Sequence, residues 1–179
     1  MPIEYVTGDA TRPRGSGPKV ICHCVNDIGQ WGSGFVLALR ARWPQPERAY
    51  RDWHRTGTSA FEISLDAQTS PHLTARFNLG SVQFVEVERE LWVANLVGQR
   101  RNIQVGEKFP IRYGAMEDGL RIVAAFCQHK GATAHMPRIG AGLARGDWTR
   151  IASIIDATLT VPGVHVTVYD LPKAHARRG

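Results

Sequence analysis

Two glycine-rich segments carry the chemistry that can be read from this chain. The first is Asn26-Asp27-Ile28-Gly29-Gln30-Trp31-Gly32-Ser33-Gly34-Phe35, following the apolar run Val20 to Val25. The second is Pro137-Arg138-Ile139-Gly140-Ala141-Gly142-Leu143-Ala144-Arg145-Gly146-Asp147-Trp148, following Thr133 to Met136. Glycine lets backbone N–H groups come close to a ligand. A helix beginning just beyond such a loop adds partial positive charge. Two loops in equivalent strand–loop–helix settings suit the two sides of a diphosphate. The dinucleotide fingerprint GxGxxG, the Walker A lysine motif and the Gly-x-Ser-x-Gly nucleophile elbow are all absent.

The elements around these loops follow from hydrophobic period and turn chemistry. Strands are expected over Ile3 to Val6, Val20 to Val25, Ser81 to Val87, Leu91 to Val97, Thr133 to Met136 and Val164 to Tyr169, with a further one around Phe61 to Leu65. Val82 to Val97 reads as a hairpin, so the sheet is mixed. Helices are expected from a Ser33 cap to about Arg42, from Pro46 to His54, from Tyr113 to Gln128, and from an Asp147 cap through Trp148, Ile151, Ile154, Ile155 and Leu159. Buried strands alternating with helices give an α/β layered domain. In open α/β sheets ligands bind outside the C-terminal strand ends. Here those ends carry Gly8-Asp9-Ala10, Asn26 to Gly34, Asn95 to Arg100 and Gly140 to Arg145.

The chain has 179 residues, 43% of them hydrophobic, enough for one domain with a sizeable core. No apolar run approaches the roughly 18 residues of a membrane span, and Met1-Pro2-Ile3-Glu4 lacks signal-peptide features; a cytoplasmic protein with no membrane partner is expected. Cys22, Cys24 and Cys127 form no CxxC pair and show no zinc spacing, so they read as small buried hydrophobes, with Cys24 placed to border a pocket; no metal is expected. The net charge of +6 comes from 22 basic and 16 acidic residues, with Lys173, Arg177 and Arg178 in a short basic tail. Such a balance tolerates anionic ligands or nucleic acid without demonstrating either. Arg100-Arg101 is either a basic spot beside Gln99 or a solvated turn.

Together these motifs resemble the macrodomain family. Tyr5-Val6-Thr7-Gly8-Asp9-Ala10-Thr11, Val20-Ile21-Cys22-His23-Cys24-Val25-Asn26 with Gly32-Ser33-Gly34, and Pro137-Arg138-Ile139-Gly140-Ala141-Gly142-Leu143 carry the resemblance in order along nearly the whole chain. His-Cys before the Asn loop, Asn95-Leu96-Val97-Gly98-Gln99, and Gly142-Leu143 ahead of Asp147-Trp148 look most like the branch containing the terminal ADP-ribose glycohydrolase and the antitoxin macrodomains that remove ADP-ribose from DNA. The resemblance implies a three-layer α/β/α sandwich around a mixed sheet of about six strands. It spans residues 1–172, with 173–179 as a tail, and places an ADP-ribose cleft above the sheet.

The resemblance also implies residue roles. Asp9, with the backbone of Ala10 beside it, accepts from the adenine amino group, or else caps its own turn. Asn26 meets the distal ribose, or else satisfies loop backbone groups. Gly32, Ser33 and Gly34 flank the diphosphate and ribose. Gly140, Ala141, Gly142 and Leu143 present N–H groups to the phosphates, with Ile139 and Ala144 as further ligand-binding residues of the same loop. Tyr169, with Leu171, packs on adenine, or else on the sheet edge. Trp31 closes over ribose or a substrate base, or else forms a hydrophobic lid on Phe35. His23 reads as a core or pocket-edge residue.

In the glycohydrolase branch a strand lysine attacks the anomeric carbon and an acid assists. Those positions align with Gln99 and Ala144, which closes the lysine-adduct route. A water mechanism remains, with Asn26 and Gln99 orienting ribose or water. Arg145 contacts the leaving group, or else faces solvent. The implied function is removal of mono-ADP-ribose from acidic side chains of modified proteins or from bases of single-stranded DNA, with no cofactor and with ADP-ribose as ligand or product. The alternatives are a reader of ADP-ribose without turnover, and a phosphatase of ADP-ribose 1″-phosphate.

Overall fold

The computed structural model describes residues 1–59 and 76–173. The expected strand near Phe61 to Leu65 and tail residues 174–179 lie outside them. The described residues form strands β1 (Glu4–Thr7), β2 (Lys19–Asn26), β3 (Val82–Glu88), β4 (Leu91–Gln99), β5 (Thr133–Met136) and β6 (Val166–Asp170). The helices are α1 (Phe35–Arg42), α2 (Gln45–Thr56), α3 (Tyr113–Lys130) and α4 (Trp148–Ile155), with a π-helical extension over Asp156–Thr160. The sheet order is β1-β6-β5-β2-β4-β3. Only the β3–β4 pair is antiparallel, as expected for a hairpin at the edge of an otherwise parallel sheet.

β2 reads as a continuous apolar run because both of its faces are covered. Val20 and Cys22 face one core with Leu120, Val123, Ile151 and Ile155 of α3 and α4. Ile21 and Val25 face another with Leu39, Tyr50 and Trp53 of α1 and α2. This is the three-layer sandwich. β5 and β6 differ on their second face, where the buried polar chain Thr133–His135–Tyr169 ends at the Arg14 backbone amide, in the loop between β1 and β2. No described helix is long and apolar enough to cross a membrane.

Two helix starts contrast. Asp147 caps α4 as expected, its carboxylate accepting from Thr149 N at 2.9 Å. α1 departs from expectation: its cap is Gly34, not Ser33, with φ at 81° and no side-chain cap bond. That left-handed backbone suits glycine, and it leaves the first-turn amides unclaimed by side chains.

Candidate functional site

The loops after β2, β4 and β5 converge at the C-terminal edge of the sheet. Arg101 N donates to Asp27 Oδ1 at 2.6 Å, and Asn102 Nδ2 donates to Gln30 Oε1 at 2.5 Å, tying the first two loops together. Arg100 and Arg101 themselves form an exposed turn. Across the gap, a Cβ placed on Gly34 would stand 3.4 Å from Leu143 Cδ1, so the two glycine loops meet over the sheet. Beneath them is a cavity of about 280 Å³.

The cavity brings together ten of the expected site residues: Asn26, Gly32, Ser33, Gly34, Gln99, Ile139, Gly140, Gly142, Leu143 and Ala144. Within the second loop, Gly146 N bonds Gly140 O, Ala141 N bonds Arg138 O and Arg145 N bonds Gly142 O. The amides of Gly142, Leu143 and Ala144 have no partner among the described residues, nor do those of Gly32, Ser33 and Gly34. Such runs of free N–H groups form anion-binding concavities.

Asn26 does what a loop-holding asparagine does. Its Oδ1 accepts from the amides of Ile28 and Gln30, both at 3.1 Å, and its Nδ2 donates to Gln30 O at 2.8 Å. Tyr50 fixes the same oxygen. The amide orientation is therefore set, and the remaining Nδ2 hydrogen has no partner among the described residues. A register shift between Val25 and Asn26 pairs Asn26 with Gln99 rather than Gly98. Gly98 is a packing requirement there: a Cβ would lie 2.4 Å from Met116 Sδ and 2.7 Å from Cys24 Sγ. Cys24 borders the cavity, its thiol 3.9 Å from Gln99 Oε1. Burial pushes that thiol up to about 12, so it stays protonated.

Other expected residues are not at the cavity. Trp31 is buried, donates its indole N–H to Val36 O at 2.9 Å, and packs on Tyr50 and His23. Tyr169 is buried, with its hydroxyl accepting from Arg14 N and facing His135 Nδ1, both at 2.9 Å. Asp9 caps its own turn through Thr11 N and Oγ1, both at 2.8 Å; neither it nor the buried Ala10 borders the cavity. Ala141 also lies off the cavity wall. Arg145 is exposed, and its Nη1 donates to Lys108 O at 3.3 Å, the solvent-facing outcome.

Sequence reasoning missed several wall residues. Gln30 and Asn102 come from the tie between the first two loops, and Gln104 follows in the same segment; no local pattern signals any of them. Arg138 sits inside a recognised motif yet was assigned no role.

His23 borders the cavity from beneath. Asn95 Nδ2 donates to Pro46 O and Gln83 Oε1, both at 3.1 Å, so Asn95 Oδ1 must accept from His23 Nε2–H, at 2.5 Å. Nδ1 then carries the lone pair, buried and unpartnered among the described residues. Burial, opposed by the Asn95 contact, lowers the imidazole to about 4, so it is neutral at pH 7. Among the described residues, Arg138 is the one formally charged residue on the cavity wall, and no carboxylate or lysine borders it.

Fold and site define a three-layer α/β/α protein with a cleft between two glycine loops. No protein-family model matches the chain. It is 46% identical to a macrodomain protein from Streptomyces coelicolor, whose solved structure covers 94% of this chain and is itself covered to 98%, with a TM-score of 0.74. A solved protein of unknown function from Bacteroides thetaiotaomicron is 47% identical, with 96% and 99% covered and a TM-score of 0.81. The chain belongs to the macrodomain family. It is also 29% identical to chromodomain-helicase-DNA-binding protein 1-like from Mus musculus over 98% of its length, but spans only 18% of that relative. A Thermosipho africanus DarTG structure in complex with ADP-ribose shares the fold at 16% identity, with a TM-score of 0.60; it covers 87% of this chain and is covered to 38%.

Proposed function

We propose that the cleft binds ADP-ribose and that the protein removes mono-ADP-ribose from acidic side chains of modified proteins or from bases of single-stranded DNA. The observation that carries this reading is the pair of glycine loops with unpartnered amides closing over one cavity. The DarTG structure holding ADP-ribose has the same fold, which supports the choice of ligand. The diphosphate lies against the amides of Gly142 to Ala144 and the first turn of α1, where backbone dipoles stabilise negative charge. Asn26, its amide fixed, donates its remaining hydrogen to the distal ribose.

The reaction follows from the residues at two positions of the wall, Gln99 and Ala144. With Gln99 and Ala144 in place of lysine and acid, a water attacks the anomeric carbon. The water oxygen bonds to that carbon, the bond to the carboxylate oxygen or base nitrogen breaks, and the proton ends on the leaving group or solvent. Gln99 positions the water or ribose, and no cofactor is needed. Positioning of this kind carries a large share of a barrier.

That no carboxylate or lysine borders the cavity among the described residues favours a second reading, a reader without turnover. Release from ADP-ribosylated protein and ADP-ribosylated single-stranded DNA, measured side by side, decides. Catalytic amounts of protein should free ADP-ribose from one of them; stoichiometric capture with no release over hours makes it a reader.

A further inference from the structure

We infer that Arg138 is a stacking platform for the planar base of the nucleotide, a role that rests on the ADP-ribose reading above. The guanidinium is locked in place. Its Nε and Nη2 meet the two Asp170 oxygens at 2.6 and 2.8 Å. Its Cζ stands 5.2 Å from the Tyr5 ring centre and 5.1 Å from that of Trp148. Those two ring centres are only 6.4 Å apart, so the rings support the guanidinium from one side and do not sandwich it. The side chain is still 41% exposed, and the residue borders the cavity.

What remains on offer is a flat, delocalised surface. The positive charge is already answered by Asp170, so the residue is a poor choice as a free phosphate ligand. Arginine planes stack well on π systems, and bases stack on such surfaces. A plane already held by a carboxylate and two rings loses little freedom when a ligand arrives. Its location agrees: Asp170 O accepts from Gly8 N at 2.9 Å, one residue before Asp9, the expected partner of the adenine amino group. Tyr169, the aromatic residue expected against adenine, is turned inward and hydrogen-bonded. The Arg14 guanidinium also lies at that turn, its Nη2 donating to Thr7 O at 2.8 Å, but of the two arginines it is Arg138 that borders the cavity.

The test crosses ligand with residue. ADP-ribose and ribose 5-diphosphate, which lacks the base, are titrated into wild type, Arg138→Lys and Arg138→Gln, with thermal melts confirming folding. Lysine keeps the charge and loses the plane; glutamine keeps a small plane and loses the charge. Arg138→Lys should weaken ADP-ribose by about 5- to 50-fold, the scale of single-base stacking, while ribose 5-diphosphate changes less than 2-fold. Arg138→Gln should fall between wild type and lysine for ADP-ribose. Equal losses for both ligands, unchanged ADP-ribose affinity in Arg138→Lys, or glutamine weaker than lysine would each overturn the inference. Wild type failing to bind ADP-ribose at all is a different result, and it would overturn the underlying ADP-ribose reading.

Discussion

The Tyr50 hydroxyl lies 2.7 Å from both the backbone and the side-chain oxygen of Asn26. One buried phenol on α2 thus sets the direction of the amide at the mouth of the cleft. Tyr50→Phe keeps the ring packing on Trp31 and removes the hydroxyl. Stability should fall by about 1 kcal/mol, the net worth of a buried hydrogen bond whose acceptor keeps other donors, and ADP-ribose affinity by several-fold. Denaturant midpoints and calorimetric titration measure the two. Unchanged affinity would separate Asn26 from ligand binding.

Gln99 is paired with Asn26 across the register shift and borders the cavity without holding the loops together. Gln99→Ala should slow ADP-ribose release by at least 10-fold while leaving ADP-ribose affinity within about 2-fold, as for a group acting on the transition state. An unchanged release rate removes Gln99 from the mechanism.

His23 and His135 are both buried, and burial lowers each to about 4. An unfolded histidine titrates near 6.5, so the unfolded chain binds more protons between those values. The contribution to stability is full above about pH 6.5, erodes as pH falls, and is gone below about pH 4. At 1.36 kcal/mol per pKa unit it amounts to roughly 3 kcal/mol for each histidine. Urea midpoints should therefore fall steadily from pH 7 to pH 4. A flat profile over that range would show that both imidazoles accept a proton in the folded state as readily as in the unfolded chain.

Much of the fold was legible because its signals are local. The apolar runs at β2 and β4, the amphipathic period of α3 and the Asp147 cap each declare an element without reference to the rest of the chain. The glycine loops were legible for the same reason. What escaped was set by side chains meeting across the fold. Trp31 looked like a lid from its place in a loop, yet Tyr50, 19 positions on, pulls it into the core. For Tyr169 the sequence leaves adenine packing and edge packing open, and gives no sign that Arg14 and His135 claim its hydroxyl. For Arg145 the sequence leaves two readings, leaving-group contact or a solvent-facing loop charge; here a positive φ of 58° accompanies a side chain turned toward Lys108 O. Arg138 went unread because its role needs Tyr5, Trp148 and Asp170, which lie far apart in sequence.

The most direct test of the account is an ADP-ribose titration of wild type against Gly142→Glu. A Cβ at Gly142 meets nothing within 4 Å and φ there is not positive, so the variant should fold. The glutamate would then place bulk and negative charge where the diphosphate is expected. The account predicts saturable ADP-ribose binding by wild type and a loss of at least 100-fold in the variant at unchanged melting temperature. Equal binding by the two proteins would contradict it.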